Sequence, residues 1–289
     1  MSERVTVVVA TQNRRGGLAD ALERLAGLSP ASPVIVVDNA STDGTAQMVR
    51  ARFPGVRVVV LPRNIGAAAR NAGAREAATD LVAFSDDDSW WAPGALARAA
   101  EHFDAHPRLG LLAARMLVGA REELDPVCDA MAASPLGTEP DLPGPSVLGF
   151  VACGAVVRRD AFLQAGGFHE RFLVGGEEEL LALDLATAGW GLAYVDDVVA
   201  HHHPSPSRNP SRRRRIQRRN ALWAAWLRRP LSAVAGHTLA ALGAGLRDAD
   251  ARAGLGEALT RGAWVLRERR VVPAGVERRV RRLERGKGA

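Results

Sequence analysis

At 289 residues, with apolar side chains at 47% and charged ones at 24%, the chain has the composition of a folded globular protein long enough to bury a large core, which excludes a disordered or fibrous polymer. Two cysteines, Cys128 and Cys153, are too few for a disulfide framework or a cysteine-based metal site, and they fit a reducing, cytoplasmic setting. The net charge of +6 divides unevenly: residues 1–205 hold 17 basic against 26 acidic side chains and residues 206–289 hold 21 against 6, so the tail either binds an anionic partner or packs on the acidic body.

The first residues run from charged positions directly into a strand pattern and do not read as a signal peptide. Short, continuously apolar runs at 5–10, 34–38, 56–61 and 81–85 have the character of strands buried on both faces. Between them, 18–28, 45–52 and 66–77 carry apolar or alanine positions at helical spacing. That alternation predicts βαβ units in a mostly parallel sheet, whose ligands lie beyond the carboxyl ends of the strands. A helix is expected over 93–106, opened by Pro93, and a strand over 109–118. Residues 122–148, rich in proline, serine and acid, suggest a mobile loop over the ligand site. A strand over 150–157, a short helix over 159–165 and a helix over 177–188 follow, and beyond Pro210 the pattern is helical throughout. The uncharged stretch 230–246 contains three glycines and falls short of the ~20 apolar residues of a membrane span.

Polar residues cluster at the predicted strand ends. The first strand runs into Thr11, Gln12, Asn13 and Arg14, the second into Asp38, and the fourth into Asp86, Asp87 and Asp88. Asp43-Gly44 is turn chemistry, whereas Asp38 at the end of a buried strand requires a partner. Three adjacent carboxylates repel one another; a divalent cation relieves that repulsion, and so does solvation in an acidic loop. Three histidines, His201 to His203, follow the apolar 198–200, and alternation along a strand places His202 opposite to its neighbours.

These segments, with Asn64 to Asn71, Gly166-Gly167-Phe168, Gly176-Glu177-Glu178, Ala188-Gly189-Trp190 and His202-His203-Pro204, resemble in order and spacing the family 2 glycosyltransferases of the GT-A fold over roughly residues 4 to 207. The resemblance implies an α/β, Rossmann-like nucleotide-binding domain over 1–207 and a basic helical extension over 208–289. It implies inverting, non-processive transfer from a UDP-, dTDP- or GDP-linked sugar to a glycan, lipid-linked or small-molecule acceptor. Thr11, Asn13 and Arg14 would lie against the nucleotide and Asp38 would bind the base, with Asn64, Gly66 and Arg70 also at the nucleotide sugar. Asp86 and Asp88 match the two ends of the family's D-x-D and would hold Mn2+ or Mg2+ with His202, His201 and His203 being second options, while Asp87 turns toward ribose or sugar. Glu178, with Glu177 before it, stands where the family has its catalytic aspartate, and Ala10 stands where the family often has proline.

Other readings stay open at this level. A sugar nucleotidyltransferase would share the fold class but should carry a glycine-rich loop with a basic residue after the first strand, which 10–15 lacks. A nucleotide-sugar-binding protein without catalysis would not need Asp86, Asp88, Glu178 and a histidine together. In the tail, Leu222, Trp223, Trp226 and Leu227 form an apolar stripe beside the arginines of 212–219. That pattern suits either an interfacial helix over 212–227 on an anionic inner membrane face or a helix docked on the body. No nucleic-acid-reading motif accompanies the arginines.

Overall fold

The computed structural model describes residues 4–28, 31–204 and 210–286. The chain opens with β1 (Val5–Thr11), α1 (Arg15–Ala26), β2 (Val34–Asp38), α2 (Thr45–Arg52), β3 (Arg57–Val60), α3 (Ala69–Glu76) and β4 (Leu81–Asp86). It continues through β5 (Ser89–Trp91), α4 (Ala95–Ala105), β6 (Leu109–Val118), β7 (Glu123–Leu124), α5 (Pro126–Ala132), β8 (Ala155–Arg158), α6 (Arg159–Gln164), α7 (Glu177–Thr187) and β9 (Gly191–His202). Five helices close the chain: α8 (Pro210–Arg228), α9 (Leu231–Gly245), α10 (Ala249–Arg261), α11 (Val265–Glu268) and α12 (Ala274–Gly286).

The strands form one sheet in the order β3-β2-β1-β4-β8-β6-β9-β5, with β7 on β6. β1 to β4 are parallel, as buried valine-rich runs linked by helices should be. β8 then enters antiparallel between β4 and β6, so the second half of the sheet is mixed. Alternation along β1 splits its valines between two cores: Val8 faces Phe84, Phe162 and Phe168, while Val7 and Val9 face Leu18, Leu22 and Phe103.

Several elements differ from the sequence reading. The helix expected from Pro93 begins at Ala95, because Gly94 takes φ +76 as its N-cap and leaves Pro93 in the preceding turn. The strand expected over 150–157 shrinks to β8, since Ala152–Gly154 form a 3-10 turn. Residues 122–148 do not lie over the cavity: Asp125 caps α5, and Cys128, Met131, Leu142, Val147 and Leu148 are buried in the cores. Their apolar members, diluted among prolines and acids, carry no helical or strand period.

The tail builds a third core. Leu222, Trp223 and Leu227 of α8 pack with Phe172, Leu180, Leu255 and Trp264, and Trp226 lies against them. The stripe over 212–227 is thus the docked alternative rather than an open membrane face. Its arginines are engaged mainly by the tail's own acids, Arg214 by Asp250 at 2.9 Å, Arg215 by Glu257 at 3.0 Å and Arg218 by Asp248 at 2.9 Å. Arg228 reaches the body at Asp184. The expected division at 207/208 lies outside the described residues.

Candidate active site

Register brings the strand ends together. Thr11 pairs with Asp38 across β1 and β2, and Ala10 pairs with Asp86 across β1 and β4. Beyond this rim lies a cavity of about 500 Å³ whose walls include Thr11, Arg14, Asn64, Gly66, Arg70, Asp86–Asp88, Glu177, Glu178 and His202. Asn13 and Asp38 stand behind the rim. Asn13 adopts φ 52, its backbone N donates to Ser41 Oγ at 2.9 Å, and its Oδ1 accepts from Thr42 N at 2.7 Å. The partner that Asp38 requires is local: Oδ1 accepts from Ser41 N at 2.8 Å.

Asn39, which the sequence reading passed over, ties two loops. Its Oδ1 accepts from Ile65 N at 2.9 Å and its Nδ2 donates to Gly66 O at 3.0 Å. The loop is pinned from the other side by Ala67 N, which donates to Leu173 O at 2.6 Å. Gly66 has φ +62, and a Cβ there would lie 2.1 Å from that same Leu173 oxygen. Asn64 Nδ2 in turn donates to Gln12 Oε1 at 2.5 Å.

The acidic turn is held residue by residue. Asp86 forms an ion pair with the buried Arg70, and its backbone N donates to Ser89 Oγ at 2.7 Å. Thr11 Oγ1 donates to Asp87 Oδ2 at 2.8 Å, and Arg14 Nε lies 3.7 Å from Asp87 Oδ1. Burial, reinforced by Asp86 and Asp88, pushes the Asp87 carboxyl up to about 6 against the Thr11 bond. Pairing of β5 with β9 sets Ser89 opposite His202, which places His202 Nε2 3.4 Å from Asp88 Oδ1. His201 faces away, stacked on Trp90 at 5.3 Å and paired with Glu122 at 3.1 Å, and His203 meets the edge of the same indole. Trp90 thus packs on histidines and Trp91 is buried in the core, and neither lines the cavity.

Donor atoms of Asp86, Cys153 and His202 all lie within 4.8 Å of one another, and His202 Nε2 is buried with no hydrogen-bond partner among the described residues. Cys153, set aside by cysteine count alone, thus stands at the same point, carried there by the 3-10 turn before β8. Its thiol is pushed well up by burial.

Glu177 and Glu178 open α7 behind Gly176, at φ 91. Glu177 is 3% exposed and its Oε2 has no hydrogen-bond partner among the described residues. Burial first, then the charge of Glu178, raises the Glu177 carboxyl, and burial also raises that of Glu178. Arg70 opposes both shifts. The wall beside them is Arg212, Arg213 and Ile216 of α8, a contribution of the tail that its arginine-rich sequence did not reveal. Asn220, fully buried, steadies the approach to α7 by donating from Nδ2 to Phe172 O at 2.7 Å and Gly175 O at 2.5 Å.

A parallel βαβ half ending in an acidic turn, joined to a mixed half that delivers a histidine and a buried glutamate pair, defines a glycosyltransferase of the GT-A fold. The profile of Glycosyl transferase family 2 matches residues 6–165, and the chain belongs to that family. The pre-mycofactocin glycosyltransferase of Mycobacterium tuberculosis is 36% identical over 217 residues, 71% of this chain and 44% of that protein. The N-acetylglucosaminyl-diphospho-decaprenol L-rhamnosyltransferase of the same organism is 30% identical over 224 residues, 64% of this chain and 73% of that protein. Among solved structures, the mannosyltransferase PcManGT from Pyrobaculum calidifontis with GDP-Man and Mn2+ has a TM-score of 0.62 at 23% identity, the match covering 100% of this chain and 76% of that one. TarS of S. aureus with UDP-GlcNAc has a TM-score of 0.58 at 19% identity, covering 76% of this chain and 66% of that one.

Proposed function

We propose that the chain is an inverting, divalent-metal-dependent transferase that moves a sugar from a nucleoside-diphosphate sugar to an acceptor hydroxyl, one sugar per encounter. The observation that carries this reading is the meeting, in one cavity, of the Asp86–Asp88 turn, His202 and the Glu177–Glu178 pair. The residues present fit a metal: a buried imidazole nitrogen without a hydrogen bond faces a carboxylate-rich turn, a mixed set suited to Mn2+ and tolerable to Mg2+. Asp86, Asp88 and His202 would hold it, and when bound it supplies positive charge to the leaving diphosphate.

The chain's own residues do the rest. Thr11, Arg14, Asn64 and Gly66 line the nucleotide side of the cavity, and Asp87, held by Thr11, faces ribose or sugar. Glu178 takes the proton of the acceptor hydroxyl as its oxygen attacks the anomeric carbon and the bond to the diphosphate breaks. Glu177, one residue earlier, is pushed up to about 8 by burial and by the charge of Glu178, so it is the partner that keeps its proton. Arg70, between Asp86 and the glutamates, keeps the cluster from accumulating unopposed negative charge. Within this reading, residues 1–207 are the catalytic domain and 208–289 an extension that completes its wall. The names of the two mycobacterial relatives point to a lipid-linked or a small-molecule acceptor.

The test is calorimetric titration of UDP, dTDP and GDP with manganese and again with chelator, run in parallel on Asp88→Ala. Metal-dependent binding of one nucleotide, lost in the variant, is expected. Absence of binding to any of them by the folded protein would overturn the reading.

A further inference from the structure

α9 is an apolar helix covered on one side only, by α8 and α10. From Pro230 to Leu246 the sequence holds no charged residue apart from His237, which a helix on the surface of a globular protein normally cannot sustain. Leu231, Ala235, Leu239, Leu242 and Leu246 recur at spacings of 4, 4, 3 and 4 and so share one face. That face is open: all five are exposed, Leu231 at 74% and Leu246 at 85%, and within α9 only Gly245 is buried. With 15 residues in the helix, the stripe runs for about 22 Å. Beside it lies a groove of about 410 Å³ between α9 and the α10–α11 corner, lined by Trp226, Leu231, Val234, Leu259, Leu266 and Arg269. Leu259 and Leu266 are exposed in their turn, Leu266 at 83%.

The net charge around this face is positive. Each of the six acids in 206–289 already has a partner: Asp248 with Arg218, Asp250 with Arg214, Glu257 with Arg215, Glu268 with His169, and Glu277 and Glu284 with Arg229. The tail's arginines outnumber these acids, and the surplus stands at the edge of the leucine face. Arg247 follows Leu246 and Arg267 follows Leu266, and both are exposed.

We propose that the α9 stripe and the α10–α11 corner form a docking surface for an anionic lipid bilayer, the leucines entering the acyl boundary and the rim arginines meeting the headgroups. A second copy of the chain fits the face poorly, because a two-fold contact would set one arginine rim against the same positive rim. An anionic bilayer complements both parts of the surface. The contact is made by α9 to α11, not by the 212–227 stripe, whose tryptophans are enclosed. The proposal is independent of the transferase reading.

The full chain is sedimented with vesicles of phosphatidylglycerol mixed with phosphatidylcholine, and with vesicles of phosphatidylcholine alone. Binding to the anionic vesicles only, weakening with salt, is expected. The double variant Leu239→Ser, Leu242→Ser should bind at least ~10-fold more weakly, since it puts two hydroxyls where apolar side chains leave water. Arg247→Gln with Arg267→Gln should bind more weakly with an unchanged leucine face. Because these positions are exposed and away from the cavity, melting temperature and nucleotide binding should hold, which separates loss of docking from loss of fold. Equal binding to both vesicle types, or full binding by the leucine variant, would overturn the proposal. So would a concentration-dependent dimer that the leucine variant abolishes while vesicles are ignored.

Discussion

Arg70, at the start of α3, is ion-paired with Asp86, the last residue of β4, and its side chain is only 9% exposed. The guanidinium also lies over the Phe168 ring, 5.8 Å from its centroid, so it is clamped between a core aromatic and the acidic turn. One oxygen of Asp86 is thereby committed to the protein. Replacement of Arg70 by methionine leaves Asp86 facing the glutamate pair without a counter-charge. Loss of a fully buried partner costs about 3–5 kcal/mol. Asp86 is 29% exposed, so solvent screening reduces the expected loss to about 1–3 kcal/mol. Manganese should raise the melting temperature of Arg70→Met by more than it raises that of the parent, since the cation replaces the missing charge. Identical manganese shifts in the two proteins would show that Arg70 and the metal act at separate places.

With Glu178 as the proposed base, the glutamate pair is expected to set the acid limb of the reaction. A base works as the carboxylate, and burial holds both carboxyls above their ordinary range, so kcat/KM should rise with pH across a window above that range. Glu178→Gln should abolish turnover while leaving nucleotide affinity nearly intact. Glu177, raised to about 8 by burial and by the Glu178 charge, keeps its proton while Glu178 ionises, so glutamine stands in for its neutral form. The acid limb of Glu177→Gln should therefore stay close to that of the parent, with turnover retained in part. A limb that moves to lower pH would show that Glu177 is already charged when Glu178 titrates.

The parallel half and the rim were legible in the sequence because their signals are local. Valine runs mark β1 and β2, and a period of two singles out His202 from its neighbours, as the Trp90 stack with His201 bears out. The role of α8 was not legible, because Leu222, Trp223 and Leu227 have the same spacing whether they face lipid or Phe172 and Leu180. Cys153 and Asn39 carry no motif of their own. Each becomes a site neighbour only when a distant segment, His202 for one and Ile65–Gly66 for the other, is brought to it.

Gly66 is required by both its backbone and its surroundings. Alanine would have to hold φ +62 with its Cβ 2.1 Å from Leu173 O, an oxygen already engaged by Ala67 N. Left-handed conformation alone costs about 1–2 kcal/mol in a non-glycine residue, and the overlap with backbone forces the loop to move. Gly66→Ala should lower stability by at least ~1 kcal/mol and, with the proposed donor site, raise KM for the donor more than it lowers kcat, because the displaced loop lines the cavity. Denaturant melts and donor titrations would measure the two effects. A variant with parental KM would place the donor elsewhere in the cavity.

Asn220 links the tail to the glutamate pair without lining the cavity. Its amide donates to the carbonyls of Phe172 and Gly175, and its Oδ1 accepts from Arg219 at 3.0 Å, all within a fully buried pocket. Asn220→Ala leaves those carbonyls and part of the Arg219 guanidinium unsatisfied, at about 1–3 kcal/mol for each buried group that loses its partner. Gly176, whose added Cβ would lie 3.1 Å from Asn220 Cβ, shows how closely α8 fits the turn that starts α7. The same substitution should therefore loosen Glu177 and Glu178 and lower kcat with little change in nucleotide affinity. Trp223→Ala serves as the comparison. It removes a buried indole that donates to Ala258 O at 3.1 Å and should cost about 3–5 kcal/mol, yet it does not contact the 172–176 carbonyls. If Asn220 acts by positioning, its variant loses more turnover per unit of stability than Trp223→Ala does. Turnover falling in both variants only in step with the unfolded fraction would leave the tail a purely structural support.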